Sequence, residues 1–109
     1  MWTPRCVAVL LVFALQCVSA ASVSSRQAVH IANTYLQRYH VDVRSLNVSV
    51  KLRHEPDDHA TDPAVRKKLV HRTHWWVYFV PRDPDTYGGA HSVYIAPSTG
   101  EIIGWCSER

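Results

Sequence analysis

The chain of 109 residues is 47% hydrophobic and 19% charged, and its formal net charge is +3. This length allows one domain and excludes a multidomain enzyme, and the near balance of charges argues against a nucleic-acid-binding surface. The apolar residues are densest in the first twenty positions, which therefore differ in kind from the rest of the chain.

The N-terminal segment 1–20 has the pattern of a secretory signal peptide. Arg5 supplies a positive charge, the apolar run 7–15 follows, and small residues then predict cleavage after Ala20 or Ala21. The run is too short for a membrane span, which needs about 20 apolar residues. We therefore expect an exported protein, periplasmic or secreted, with no membrane span once the signal is removed. A retained membrane anchor is the alternative.

Removal of the signal changes the cysteine content of the protein. Cys6 and Cys17 lie in the signal, so Cys106 alone remains in the single domain 21–109, and loss of Arg5 lowers the net charge from +3 to +2. One cysteine forms neither an internal disulfide nor a structural zinc site. We interpret Cys106 as a buried small apolar residue, with an intermolecular disulfide as the alternative.

The first predicted element of this domain is a helix of about four turns. Ser24 and Gln27 have the spacing of a capping box, which places the start of the helix after Ser24. Apolar residues then recur at intervals of three and four and give the helix one apolar face. These residues are Ala28, Ile31, Ala32, Tyr35, Leu36 and Tyr39.

A strand and a charged insert follow the helix. Strict alternation from Leu46 to Leu52 predicts a half-buried strand with its leucines and valines on one face. The insert at 53–72 is acidic at its start and basic at its end. Within it, Asp62 and Pro63 are the expected N-cap and first residue of a short helix that runs to about residue 70.

Three further strands complete the predicted fold. The stretch 73–80 carries large apolar side chains on both faces, and it is followed by strands at 90–96 and 101–105 joined by a turn at 97–100. Consecutive strands joined by short turns form an antiparallel sheet. We therefore predict an α+β fold, in which the N-terminal helix packs on a small antiparallel sheet of three to four strands.

No catalytic constellation, metal site or cofactor site is predicted. His71 and His74 have the most ligand-like spacing, but residues three apart in a strand point to opposite faces. Cys106 has no neighbour in the sequence that would activate it, and no serine lies in a nucleophile elbow. We therefore predict that the protein is not an enzyme.

The aromatic residues of the strand 73–80 give the only site prediction. One face of this strand is expected to pack on the helix, while the other carries Trp76 and Tyr78 beside Tyr94 of the next strand. Either the insert at 53–72 folds over this second face, or the face is an exposed aromatic patch that binds a protein partner. The second interpretation predicts that Trp76, Tyr78 and Tyr94 contact the partner.

The second half of the chain carries a series of recognisable motifs. They are, in order, Trp76-Val77-Tyr78-Phe79, Gly88-Gly89, Val93-Tyr94-Ile95 and Ser98-Thr99-Gly100-Glu101-Ile102-Ile103. Over residues 24–105 the chain resembles small immunity proteins with a nuclear-transport-factor-2-like fold. It is also similar to PepSY domains in its helix and its Thr-Gly-Glu hairpin, but the glycine pair favours the immunity group. Cystatins share the roll of helix on sheet, but their Gln-x-Val-x-Gly loop is absent here.

The resemblance implies an exported, non-enzymatic protein that neutralises a secreted toxin or effector by direct binding. The alternative that it implies is a PepSY-like inhibitor or regulator of an envelope peptidase. A third hypothesis is a small enzyme that uses the cone-shaped cavity of the nuclear-transport-factor-2-like fold. No nucleic-acid partner is expected.

Overall fold

The computed structural model describes residues 22–86 and 88–108, so the predicted signal segment lies outside the described residues. The four strands form one antiparallel sheet in which each strand pairs with the next along the chain. The predicted α+β fold, a helix packed on a small antiparallel sheet, is confirmed. The elements are α1 (Ser25–Arg38), a 3-10 turn (Val43–Ser45), β1 (Leu46–Arg53), α2 (Pro63–Leu69), β2 (His74–Pro81), β3 (His91–Ile95) and β4 (Ile102–Ser107).

Both ends of α1 are fixed by local hydrogen bonds. At the start, the Ser24 hydroxyl accepts from the Gln27 N–H at 3.1 Å and the Gln27 side chain accepts from the Ser24 N–H at 2.8 Å, so the predicted capping box is present. At the end, the His40 N–H donates to the Gln37 carbonyl and the Val41 N–H donates to the Leu36 carbonyl. This is a Schellman motif, in which His40 takes the left-handed position with φ 65°.

The face of the sheet beneath α1 holds a dry apolar core. Ala28, Ala32 and Leu36 of the helix are completely buried against Val77 and Phe79 of β2. The prediction that this face of β2 packs on the helix is confirmed. The remaining buried members of this core are Leu46, Val93 and Ile95.

Strand β1 lies at the edge of the sheet and is less covered than its alternation predicts. Leu46 is buried, but Val48 and Leu52 on the same face are 45% and 46% exposed. The alternation is therefore present, yet on this face only Leu46 is buried and only Val50 is half-buried. The physical reason is position, because an outermost strand has a neighbour on one side only.

The charged insert crosses the opposite face of the sheet. Its helix begins as predicted, with the Asp62 carboxylate accepting from the Ala64 N–H at 2.8 Å and Pro63 in the first turn, and it ends at Leu69. The Val65 side chain lies directly over Gly104 of β4, where an added Cβ would be 2.7 Å from its methyl groups. The helix α2 therefore sits close to the sheet because residue 104 has no side chain.

Candidate functional site

The face of the sheet opposite α1 is a second core and not an exposed patch. Trp76 is 8% exposed, Tyr94 is completely buried and Tyr78 is half-buried. The prediction of an exposed aromatic patch at these three residues is therefore wrong for Trp76 and Tyr94, and the alternative, an insert folded over this face, describes the structure. The side chains from the insert that cover the face are Ala60, Val65 and Leu69.

Polar contacts tie the insert to this second core. The His59 imidazole donates through Nδ1 to the Glu108 carboxylate at 2.7 Å, and its ring stacks on Trp76 with centroids 5.1 Å apart. The same ring lies 4.5 Å from the Tyr78 ring. Beneath it, the Trp76 indole N–H donates to the Ser92 hydroxyl at 3.0 Å, which satisfies a buried donor.

Asp57 links the insert to the centre of the sheet. Its carboxylate accepts from the Tyr94 hydroxyl at 3.4 Å and from the His59 N–H at 2.9 Å. Burial, and next the negative charge of Asp57, raise the pKa of the Tyr94 hydroxyl far above its usual value of 10. Tyr94 is therefore a neutral hydrogen-bond donor throughout the physiological pH range.

His74 is a buried imidazole next to Tyr94 on the same face of the sheet. Its Nδ1 donates to the Arg72 carbonyl at 2.8 Å, and its ring meets that of Tyr94 edge-on at 5.5 Å. The Nε2 atom of His74 and the second carboxylate oxygen of Asp57 are buried and have no hydrogen-bond partner among the described residues. Burial lowers the pKa of His74 below 6.5, so the ring is held neutral.

The described residues offer little else for catalysis or metal binding. No three histidine, cysteine, aspartate or glutamate side chains of residues 22–86 and 88–108 are placed to hold one metal ion. Cys106 is 5% exposed and forms no disulfide within the described part of the chain, and its burial agrees with its interpretation as a buried apolar residue. Among the helices in the described ranges, none is both long and apolar enough to cross a membrane.

A groove runs along the other side of α1, between this helix and the hairpin of β3 and β4. We call it the α1–β4 groove. Its first part is a recess of about 520 Å³ between Ile31 of the helix and Gly100 of the turn. Its second part is a recess of about 280 Å³ between Tyr35 and Ile102, and the two parts share Ile31. At residue 100 the backbone has φ 78°, and an added Cβ would lie 3.1 Å from Ile31, so the turn approaches the helix closely.

Three rows of side chains along α1 explain the shape and charge of this groove. Residues spaced by four lie on one line of a helix surface. Ala28, Ala32 and Leu36 form the buried row, and Ile31 and Tyr35 belong to a second row that lines the groove. A third row forms the rim of the groove and carries its positive charge. This row is Arg26, His30, Thr34 and Arg38.

Three aromatic rings lie together at the end of the groove next to the C-terminus of α1. The Trp105 ring of β4 lies 5.9 Å from that of Tyr35 and 5.2 Å from that of Tyr39, and the two tyrosine rings are 5.0 Å apart. Tyr39 is 51% exposed. The Trp105 indole donates to His91 Nδ1 at 3.1 Å, which fixes the position of its ring. We call Tyr35, Tyr39 and Trp105 the aromatic cluster.

Sequence reasoning missed this surface. The basic row was available as a signal, since Arg26, His30 and Arg38 recur at multiples of four in a helix that contains no acidic residue. The aromatic cluster gives no such signal, because Trp105 is far from the helix in the sequence and contacts it only in the folded chain. The spacing alone places Tyr35 and Tyr39 on the one apolar face of the helix, together with Ala28, Ala32 and Leu36.

No protein-family model, curated protein or solved structure matches the chain. The resemblance to immunity proteins and to PepSY domains therefore stays a prediction.

Proposed function

We propose that the protein is an exported, non-enzymatic binding protein that neutralises a secreted toxin or effector by direct contact. The observation that carries this proposal is the aromatic cluster, which lies at the surface beside an apolar groove. Tyrosine and tryptophan dominate the energetics of protein interfaces because one ring buries a large area at a low cost in conformational entropy. Tyr39, at 51% exposure, leaves much of its ring to be covered by a partner.

The positions of the titratable groups support binding over catalysis. His74 and Tyr94 are completely buried beneath the insert, and Asp57 of the insert meets Tyr94 there, so a substrate has no access to the two rings. The α1–β4 groove has the opposite character, since no carboxylate of the described residues lines either recess. The groove therefore lacks a carboxylate that could serve in general acid–base catalysis.

An envelope peptidase is the second candidate partner, and strand β1 is the observation that favours it. The Arg82 N–H donates to the Ser45 carbonyl at 3.1 Å, which sets the alternation of hydrogen bonds between β1 and β2. Val48, Val50 and Leu52 consequently direct their N–H and C=O groups away from β2, towards the open edge. Among the residues that the structure describes, no further strand pairs with this edge, which therefore offers its backbone groups to an extended strand of a partner.

The proposal is tested by recovery of the partner from the compartment where the protein works. We expect the tagged protein, purified from the periplasmic or secreted fraction of its own cells, to retain one stoichiometric protein partner that mass spectrometry identifies as a toxin. Tyr39→Ser should weaken this capture. Val70→Ser is the matched control, because Val70 is 45% exposed but belongs to the other face of the molecule. Recovery of a peptidase would favour the second candidate.

Turnover of a substrate by the purified protein, without any stable partner, would show that the binding proposal is wrong. An equal loss of capture in Tyr39→Ser and Val70→Ser would show that the aromatic cluster is not the contact surface.

A further inference from the structure

We propose that the α1–β4 groove binds an extended, acidic segment of the protein partner. The inference rests on the proposed function for the existence of that partner, and it adds the chemistry of what enters the groove. Three properties of the groove lead to it: the charge of its rim, its length and its apolar floor.

The rim of the groove carries one arginine towards each end. Arg26, His30 and Arg38 stand in one row, and no aspartate or glutamate from the described part of the chain lines the groove. The helix also contains no acidic residue of its own, so neither arginine has an i+3 or i+4 carboxylate within α1. A segment that carries carboxylates would give these side chains the opposite charges that the fold does not provide.

The length of the groove suits a short extended peptide. From Gln27 to Tyr39 the helix rises about 18 Å at 1.5 Å per residue. An extended chain that rises about 3.3 Å per residue covers this distance with about five or six residues. The aromatic cluster closes one end of this path, and the 97–100 turn stands at the other.

The floor of the groove explains why the segment has to be apolar as well as acidic. Ile31 and Ile102 are half-buried and face the groove together with Gly100. In an extended chain successive side chains point to opposite sides, so carboxylates directed to the rim alternate with apolar groups directed to the floor. An aromatic or leucine side chain of the segment would then contact Tyr39 and Trp105.

A single-stranded nucleic acid would also be attracted by basic and aromatic side chains, but the aromatic cluster is poorly arranged for it. Base stacking needs a ring with a free face. The Tyr35 ring meets Trp105 at 90°, and the Tyr39 ring is tilted by 40° against the same indole. The rings are therefore packed on one another and do not form a row of parallel platforms.

The test uses the protein purified from the exported fraction and a fluorescein-labelled octapeptide in which Asp or Glu alternates with Leu or Phe. A second octapeptide with Lys in place of each acidic residue is the matched probe. We expect the acidic peptide to bind in fluorescence anisotropy and the lysine peptide not to bind. Added salt should weaken the binding of the acidic peptide because the contacting charges are exposed.

Substitutions then locate the binding site. Arg26→Gln combined with Arg38→Gln should raise the Kd of the acidic peptide about tenfold, which corresponds to about 1.4 kcal/mol. Lys67→Gln combined with Lys68→Gln is the control, because it removes the same charge from exposed positions of α2. The control should leave the Kd within about twofold of the wild type, since isolated exposed charges away from a site contribute little. Tyr39→Ala should also weaken binding.

Equal affinity for the lysine peptide or for an oligothymidylate would overturn the proposal, as would an equal loss in the two charge variants. Capture of the natural partner by the Arg26→Gln, Arg38→Gln variant as efficiently as by the wild type would also overturn it, while the proposed function would stand. Binding of the acidic peptide without any captured partner would support the chemistry of the groove and count against the proposed function.

Discussion

The two faces of the sheet are covered by different means. On one face a helix of 14 residues, capped at both ends, buries a core made of apolar side chains alone. On the other face a helix of seven residues and its flanking loop bury a core in which His74 and Ser92 are enclosed with the aromatic rings. The first cover is held by packing and, just before the helix, by the hydrogen bond that the Trp75 indole donates to the Val23 carbonyl. The second cover depends more on polar contacts, in which Asp57 accepts from Tyr94 and His59 donates to Glu108.

This difference predicts a difference in stability between the two covers. The stability of a dry apolar core depends on how well its side chains pack, but a mixed core also contains buried polar groups whose cost depends on their partners. Two such atoms, on Asp57 and His74, have no partner here. The insert is therefore expected to be the first part of the domain to open, while α1 stays docked.

The largest effect is expected on the α1 side. Phe79→Ala should lower the free energy of unfolding by about 3–5 kcal/mol, because the Phe79 side chain is 1% exposed and its removal leaves a cavity in a dry core. A small domain has little stability to lose, so this variant should be largely unfolded in circular dichroism. Leu69→Ala, which truncates a completely buried residue of the insert, is the matched variant.

Hydrogen exchange distinguishes local opening of the insert from unfolding of the whole domain. Leu69→Ala should raise the exchange of amides in 57–70 while β2 and β3 keep their protection. Global exchange in Leu69→Ala at the same rate as in Phe79→Ala would show that the two faces unfold as one unit.

An intermediate effect is expected where the insert touches the sheet most closely. Gly104→Ala should cost about 1–3 kcal/mol, since the new Cβ would lie 2.7 Å from the Val65 methyl groups. Gly104 does not have a positive φ, so the cost comes from the contact and not from the backbone. Val65→Ala added to Gly104→Ala should restore part of the loss, and a double-mutant cycle by urea denaturation measures this coupling. Additive effects would contradict the close contact.

The smallest effect is expected from the pH dependence of the insert side. Burial lowers the pKa of His74 below its usual value of 6.5, and the facing charges of Asp57, Arg53 and His54 modify this shift. Above pH 6.5 the neutral ring contributes its full stability, and below pH 6.5 the unfolded chain takes up a proton first, so stability falls towards the lowered folded pKa. The Tm should therefore decrease from pH 7.5 to pH 5.5.

His74→Asn keeps a donor for the Arg72 carbonyl and removes the titration. We expect this variant to have a shallower decrease in Tm over the same interval. Part of the decrease should remain, because burial also lowers the pKa of His91. An unchanged slope in His74→Asn would show that the insert side is not the source of the pH dependence.

The sequence predicted what local patterns determine. Ser24 and Gln27, the alternation in 46–52 and the Asp62-Pro63 start of α2 each depend on neighbours within a few residues, and the structure has all three elements. The sequence patterns of their own strands do not determine the burial of Trp76 and Tyr94. The residues that cover them lie 7–34 positions away in the insert. Contacts of that kind depend on the path of a loop, which periodicity does not describe.

Cys106 lies in the second core, between β4 and the insert, and it is the only cysteine in residues 21–109. A thiol in this position reacts with a reagent in solution only while the insert is lifted from the sheet. The rate of thiol modification then measures how often that face opens, and no label has to be introduced into the protein for this purpose. If the protein is exported, as we propose, each opening also exposes this thiol to disulfide formation between two molecules.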